Sequence, residues 1–491
     1  MHQNIVALSS IGRSKSPSEP RGCATTSRSD AMSCGTAQRA DDLPQPVWEK
    51  IQDHPCYSED AHHYFARMHI AVAPACNIQC NYCNRKYDCS NESRPGVVSE
   101  KLTPQQALEK TLAVAAEVPQ LSVVGVAGPG DALANADRTF AAFELVAKAL
   151  PHLKLCLSTN GLALPDHVDR IVAMGVDHVT ITINMIDPQI GAQIYPWIFF
   201  RHRRWEGVDA SRILHERQME GLEALTARGV LVKVNSVLIP GVNDGHLKAV
   251  NEAVRARGAF LHNVMPLISD AAHGTHFGLT GRRGPTPDEL RLAQDRLGAN
   301  AKLMRHCRQC RADAVGLLGE DRGAEFTLDR LEAPEPFDPR RREMYLSVVE
   351  RERSDRRKAD EAAQLGMTTP DSPVLVAVAT KGGGRINLHF GHATEFQIYE
   401  VHSRGARFVG HRRTETYCGD GHGEDAAMEA TIAALRGVSA VLCAKIGERP
   451  RERLAAVGVT ATDQYAFEYI EASAIAWCSR QLQSAERAAS A

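Results

Sequence analysis

Three cysteines in the segment HIAVAPACNIQCNYCNRKYDCS, Cys76, Cys80 and Cys83, are spaced C-x3-C-x2-C. Three thiolates in one short loop can hold three irons of a cubane cluster, which leaves the fourth iron open to an exogenous ligand. Zinc is the alternative, but structural zinc asks for four ligands closing around one ion, commonly as C-x2-C knuckles.

More thiols surround this loop than one cubane uses. Cys89 lies six residues past Cys83, and Cys56 sits upstream in HPCYSEDAHHYF among His54, His62 and His63. Cys307 and Cys310 form a C-x2-C pair in MRHCRQCRADAVG. Imidazole and thiolate are both competent iron ligands. Cys156 in KLCLS and Cys443 in AVLCAKI alternate with apolar residues and read as buried thiols. Cys23 and Cys34 show no ligand spacing and read as free thiols.

These groups need a frame. From His69 onward, short apolar runs alternate with longer helix-period segments, the signature of βα units around a parallel sheet. HIAVAP, LSVVGVAG, LKLCLST, HVTITIN, VLVKVNSVLIP and FLHNVMPL are the expected strands. Six such units predict an α/β fold with a partial (βα)6 barrel, which builds its site at the C-terminal ends of its strands. In TPQQALEKTLAVAAEV, Thr103 is the expected N-cap, Pro104 the first helical residue and Gln106 the partner in a capping box. HERQMEGLEALTARG and DGHLKAVNEAVRARG each end in glycine after basic residues, as helix C-termini prefer. They supply the crossovers that parallel strands require.

The strand ends carry Gly128-Pro129-Gly130-Asp131, Ser158-Thr159-Asn160, Asn184 and Ile239-Pro240-Gly241. Glycine permits close backbone approach. Each of these groups either binds a ligand at the barrel mouth or caps and turns the chain.

At 491 residues the chain exceeds one ordinary domain. Residues 1–45 lack an apolar period and read as a mobile tail; 46–330 hold the barrel, and 331–372 turn strongly charged, as a solvated helix and linker. A smaller α/β domain is expected over 373–491, with VLVAVAT, FQIYEV and VSAVLCAKI as strands and AMEATIAALRG as a helix. Acidic and basic residues nearly balance, at a formal net charge of -2, so no whole-chain field argues for nucleic acid or an anionic membrane. The start has no sustained apolar run, and no stretch approaches the ~20 apolar residues of a spanning helix. The reading is a soluble, cytoplasmic protein whose cysteines serve metal or cluster ligation.

The C-x3-C-x2-C loop followed by GPGD resembles the radical SAM superfamily. That resemblance implies S-adenosylmethionine (SAM) chelated at the open iron of a [4Fe-4S] cluster on Cys76, Cys80 and Cys83, and cleaved to a 5′-deoxyadenosyl radical. Gly128, Pro129, Gly130 and Asp131 take the place of the motif beside the methionyl amino group, although GPGD departs from the commoner GGE. The longer segment HPCYSEDAHHYFARMHIAVAPACNIQCNYCNRKYDCSNESRPGV, with HCRQCRADAVG and the C-terminal domain, is similar to the nitrogenase cofactor maturases within that superfamily, from about residue 46 onward.

Membership there implies two auxiliary [4Fe-4S] clusters as substrates, fused with a SAM-derived carbide and sulfide into the precursor of the nitrogenase FeMo cofactor. It implies Cys56 and Cys89 as anchors of one auxiliary cluster and Cys307 and Cys310 as anchors of the other, with Glu92 or His54 as an additional labile ligand. Two SAM molecules serve each pass, one as methyl donor and one as radical source. VLVAVATKGGGRINLHFGHATEFQIYEV resembles the nitrogenase cofactor-binding carrier domains, in which His389, His392 and Cys418 would meet a cluster. Implied partners are iron–sulfur cluster donors, a reducing electron donor and a downstream cofactor carrier or scaffold. Two other readings compete: a radical SAM enzyme of the molybdopterin-precursor type, and a non-catalytic iron–sulfur scaffold or carrier. The first leaves Cys56, Cys89 and HFGHA without a role, and the second leaves the open-iron loop without one.

Overall fold

Seven strands form the larger sheet, in the order β10-β1-β3-β4-β5-β8-β9. In chain order the strands are β1 (Ala66–His69), β2 (Ile78–Gln79), β3 (Leu121–Val126), β4 (Lys154–Thr159), β5 (His178–Thr182), β6 (Trp197–Phe200), β7 (Arg203–Glu206), β8 (Leu231–Leu238), β9 (Leu261–Pro266) and β10 (Val315–Gly316). The computed structural model describes residues 43–84, 98–297, 302–307, 310–331, 336–368, 370, 372–403, 405–414 and 424–490. Contacts divide the chain at residue 33, and Cys34–Ala491 make one unit.

Strands β1, β3, β4, β5, β8 and β9 run parallel, so the partial barrel and the α/β class expected from the alternating pattern are present. The antiparallel β10 against β1 was not foreseen. The helices are α1 (Gln45–Ile51), α2 (Pro104–Glu117), α3 (Ala136–Ala149), α4 (Val168–Ala173), α5 (Pro188–Ile194), α6 (Gly207–Thr226), α7 (Leu247–Ala256), α8 (His276–Leu279) and α9 (Pro287–Arg296). Helix α2 begins as its sequence predicts: Thr103 Oγ1 accepts from Gln106 N at 3.2 Å, and Gln106 Oε1 accepts from Thr103 N at 2.9 Å. Such a cap stabilises a helix by about 1 kcal/mol.

The first strand differs from its expected place. Its ladder runs over Ala66–His69 instead of starting at His69, and Ala73 rejoins the sheet through a bridge to Pro129. The reason is Arg67. A charged residue breaks an apolar pattern, yet this one is only 2% exposed, because its guanidinium donates to the carbonyls of Gly316, Leu317 and Glu320 beside β10. Burial of a cation is tolerated when its donors are matched in this way.

The second sheet has the order β13-β12-β11-β14-β15, built from β11 (Val374–Val378), β12 (Glu395–His402), β13 (Gly405–Arg413), β14 (Ala440–Leu442) and β15 (Thr460–Thr462). Before it comes α10 (Pro339–Leu365), and with it α11 (Glu424–Ala434), α12 (Glu448–Ala456) and α13 (Ile470–Ser490). Met428 of α11, Leu435 just past its end and Leu454 of α12 share one apolar cluster with the sheet, while Ile470, Ile475 and Trp477 of α13 share another. The sheet is thus covered on two faces. Cys443 lies in the first cluster as its alternation predicts, and burial pushes its thiol up to about 12.

Helix α10 is more than a solvated spacer. Arg353 pairs with Asp60 at 2.7 Å, and Arg356 reaches both Asp60 and Glu471. Glu352 pairs with Arg385 at 2.8 Å. Charge periodicity shows a polar helix, but the side chains that meet it from distant segments decide which charges are buried. Among the described residues, no helix is long and apolar enough to cross a membrane.

Candidate functional site

The cysteine loop leaves β1 and is held by backbone on both sides. Gly130 N donates to Ala73 O at 2.6 Å and Asp131 N to Ala75 O at 2.8 Å. A Cβ on Gly130 would lie 1.9 Å from Ala75 O and 2.9 Å from Ala73 O, so glycine is required by proximity. Gly128 has φ +151° and precedes Pro129 through a cis bond. On the other side, Phe199 N donates to Asn77 O at 2.7 Å and Asn81 N to Ile194 O at 2.8 Å. Gln79 donates to the carbonyls of Cys80 and Cys83 at 2.9 and 3.0 Å. None of the three loop cysteines is in a disulfide, and all three are partly exposed.

The strand-end residues converge on this loop through hydrogen bonds. Asp131 is buried, and its carboxylate accepts from Leu133 N, Ala134 N, Thr159 Oγ1 and Asn160 N at 2.9, 3.1, 3.0 and 2.6 Å. Burial raises its pKa while those four donors oppose the rise. Its visible work is to clamp the GPGD turn to the end of β4. Asn160 Nδ2 lies 3.7 Å from Cys76 Sγ and donates to Asn77 Oδ1 at 2.7 Å. Asn184 donates to the hydroxyls of Tyr82 and Tyr195, each at 2.9 Å, and accepts from Val237 N at 2.7 Å. Burial, then Cys80, pushes the Tyr82 hydroxyl well up. Ile239 is buried, with its N–H on Asn243 Oδ1 at 2.8 Å, and Ser158 pairs with Thr180 across the sheet.

A second group of thiols lies around Arg67. Arg67 Nη2 donates to Cys310 Sγ at 3.0 Å. Burial raises the Cys56 thiol pKa, and the charges that bear on it are Lys233, Cys310, Arg67 and Cys307. Lys233, buried on β8, has its Nζ 5.5 Å from the Tyr57 ring centroid and 3.8 Å from Met304 Sδ. His54 is buried, its Nδ1 accepts from Cys56 N at 3.2 Å, and its ring lies 4.2 Å from that of His178. That nitrogen lone pair serves the His-Pro-Cys turn, and Nε2 is the one left to ligate.

Cys307 packs on the same apolar cluster as Cys76 and Cys80, with Ile78, Leu162, Met185 and Ile239 among its members. Cys89 and Glu92 lie outside the described residues, as do Cys23, Cys34 and Cys418. His389 and His392 have ring centroids 4.8 Å apart, and His389 Nδ1 accepts from Gly391 N at 3.0 Å. Burial, then His392 and Lys445, lowers the His389 pKa.

Comparison with known proteins places this geometry. The radical SAM superfamily model matches residues 70–254, and that of the dinitrogenase iron-molybdenum cofactor family matches 372–479. The FeMo cofactor biosynthesis protein NifB of Sinorhizobium fredii is 61% identical over 475 residues, covering 96% of each chain. The chain belongs to the NifB family. The NifB of Rhodobacter capsulatus is 64% identical over 88% of this chain and 96% of that one, and the NifB of Azotobacter vinelandii is 53% identical over 91% and 92%. As a member of the NifB family, the chain is a radical SAM enzyme of FeMo cofactor biosynthesis, and its family implies a [4Fe-4S] cluster and SAM.

The residues present fit that cluster. Among the described residues, no three His, Cys, Asp or Glu side chains are placed to hold one metal ion. A cubane asks for something else, since each thiolate binds its own iron and the sulfurs need not converge on a point. Gly130, with its missing side chain, lets the loop that carries Cys76 lie against the GPGD turn.

Two further residues, His69 and Cys156, lie near Lys233 without a signal of it in the sequence. His69 closes β1; its Nδ1 meets Arg311 O at 2.9 Å, which assigns the proton to Nδ1 and the lone pair to Nε2, as in metal-binding histidines. Burial lowers its pKa to about 4, and Arg67 and Lys233 lie close enough to act on it. Cys156, expected as an ordinary buried thiol, is partly exposed, and Cys56 and Lys233 act on its thiol, which burial pushes up to about 12. Its alternation with apolar residues hid this, because the inner face of a parallel barrel can line a cavity as well as a core. A polar residue at the last position of a barrel strand was the available signal for His69.

Proposed function

We propose that Cys76, Cys80 and Cys83 carry the SAM-cleaving cluster and that the thiols around Cys56, Cys307 and Cys310 hold iron–sulfur substrates, which are fused with a SAM-derived carbide and sulfide into the FeMo cofactor precursor. One observation carries the reading: Cys76, Cys80 and Cys307 pack on a single apolar wall, while Arg67 donates to Cys310 and is close enough to Cys56 to feel its charge. When bound, the resident cluster supplies the electron that splits SAM into methionine and a 5′-deoxyadenosyl radical. The chain's own residues do the rest. Gly130 and Asp131 fix the loop, and Asn160 faces Cys76.

Incomplete protein ligation suits a substrate cluster, because fewer thiolates must be displaced when it departs. On this reading Cys89, His69 and Cys156 complete the auxiliary sets with Cys56, Cys307 and Cys310. Glu92 and His54 are further candidates. The C-terminal domain, through His389 and His392, holds the product before delivery to a carrier. Division of the chain at about 330 and 373 follows that split of labour.

Anaerobic reconstitution tests the reading. Three cubanes correspond to about twelve irons per chain, with 5′-deoxyadenosine and S-adenosylhomocysteine both formed. Cys56→Ala and Cys307→Ala should each lower the iron content by up to four, since one cubane holds four irons, and leave reductive SAM cleavage in place. Four irons in the parent, or intact clusters in both variants, would overturn it.

A further inference from the structure

The cysteine loop carries an appendage that the barrel does not need. Its short strand β2 pairs with β6, and β6 pairs with β7, in a separate three-stranded sheet. Ile78 and Gln79, between Cys76 and Cys80, lie opposite Ile198 and Trp197. The hairpin WIFFRHRRWE turns at Arg201 and His202, whose φ angles are +51° and +59°. A two-residue turn of this hand favours Asn-Gly, because L side chains resist positive φ. Two bulky non-glycine residues are held there at an energetic cost, and strain of this kind gathers at functional surfaces.

The tip is basic and open. Arg201, His202, Arg203 and Arg204 are all exposed, and the neighbouring Phe199 is 51% exposed. The guanidinium of Arg201 lies over Phe200 at 5.2 Å and that of Arg203 over Trp205 at 4.2 Å. Arg204 pairs with Glu206 at 2.8 Å, the acidic partner within the hairpin. The base of the hairpin meets the loop: Cys76, Asn77, Trp197, Phe199 and Arg204 line one shallow depression. A cationic, aromatic surface therefore opens beside Cys76, in a chain whose overall charge is slightly negative.

We infer that the β6–β7 hairpin is the docking surface for a small acidic one-electron carrier protein, which delivers its electron at the Cys76 side of the loop. The inference rests on the reading of Cys76, Cys80 and Cys83 as cluster ligands. One electron passes from the reduced carrier, which is oxidised, to the [4Fe-4S]2+ cluster, which becomes [4Fe-4S]+; no bond forms or breaks in this step. Opposite charge raises the encounter rate and orients the carrier, and salt screens it. The exposed Phe199 supplies the apolar centre that such a transient interface needs.

The test is anaerobic stopped-flow reduction of the reconstituted full-length protein, with a reduced acidic ferredoxin as donor and dithionite as the small-molecule control. The parent should be reduced faster at low than at high ionic strength. Arg201→Glu with Arg203→Glu should slow reduction by ferredoxin on the order of tenfold and remove the salt dependence, while Arg201→Lys with Arg203→Lys should retain the parent rate. Iron content and the dithionite rate should stay unchanged in both. Equal ferredoxin rates in the parent and the charge-reversed variant would overturn the inference. A parent without a reducible cluster at Cys76 would overturn the underlying reading instead.

Discussion

Gly130→Ala isolates what the GPGD turn does. The new methyl carbon would lie 1.9 Å from Ala75 O, 2.4 Å from Ala75 C and 2.9 Å from Ala73 O, all backbone atoms that cannot rotate away. Relief to an ordinary contact of about 3.4 Å requires the loop to retreat by about 1.5 Å, the difference between the two distances. That movement breaks the bonds from Gly130 N to Ala73 O and from Asp131 N to Ala75 O, worth about 1 kcal/mol each. It also carries Cys76, the next residue, away from Asn160. A displacement of about 1 Å at a reacting centre costs about 100-fold in rate. The expected result is a loss of about 2 kcal/mol in stability and about a 100-fold fall in 5′-deoxyadenosine formation, with an altered cluster signal in electron paramagnetic resonance. Gly245→Ala is the control, because nothing lies within 4 Å of its added Cβ. Normal SAM cleavage in Gly130→Ala, or an equal defect in Gly245→Ala, would refute the steric argument.

Three further outcomes are expected. Arg67→Met removes the donor to Cys310 and strands three buried carbonyl contacts; it should cost about 3 kcal/mol and lower the iron content without loss of the Cys76 cluster, and an iron content equal to the parent's would speak against Arg67 as an anchor. Glu471→Gln breaks a pair whose side chains are 12% and 11% exposed and leaves a buried guanidinium undercompensated, a loss of about 3–5 kcal/mol. Hydrogen exchange should rise around 352–356 and 382–385 while SAM cleavage persists; unchanged exchange would show that Arg356 is satisfied by Asp60 alone. His262, which burial holds down to about 4, binds its proton in the unfolded chain first. Its contribution is therefore complete above pH 6.5 and lost as pH falls toward 4, with a slope of about 1.4 kcal/mol per pH unit. Burial lowers His54, His63 and His178 in the same direction. Denaturant titrations at pH 7.5 and 5 should show this loss, and His262→Gln should reduce it; stability that does not fall with pH would contradict the assignment.

Local sequence determined much of this protein. The C-x3-C-x2-C spacing lies within one loop, so the three thiols are brought together by chain connectivity. The capping box of α2 is likewise a matter of residues three apart, and the period of the apolar runs suffices for parallel strands joined by helices. Tertiary structure decided the rest. Arg67 carries no sign of its burial in the sequence; the carbonyls of β10 and its flank, with the Cys310 thiol, supply its partners. Asp131 reads as a ligand-facing carboxylate until the end of β4 occupies its oxygens. His69 and Cys156 look like ordinary strand residues until the barrel brings Lys233 close enough to act on both, and Cys56 on Cys156. Partners supplied from 28 to 253 residues away leave no local period, so they become legible only when the chain has closed around them.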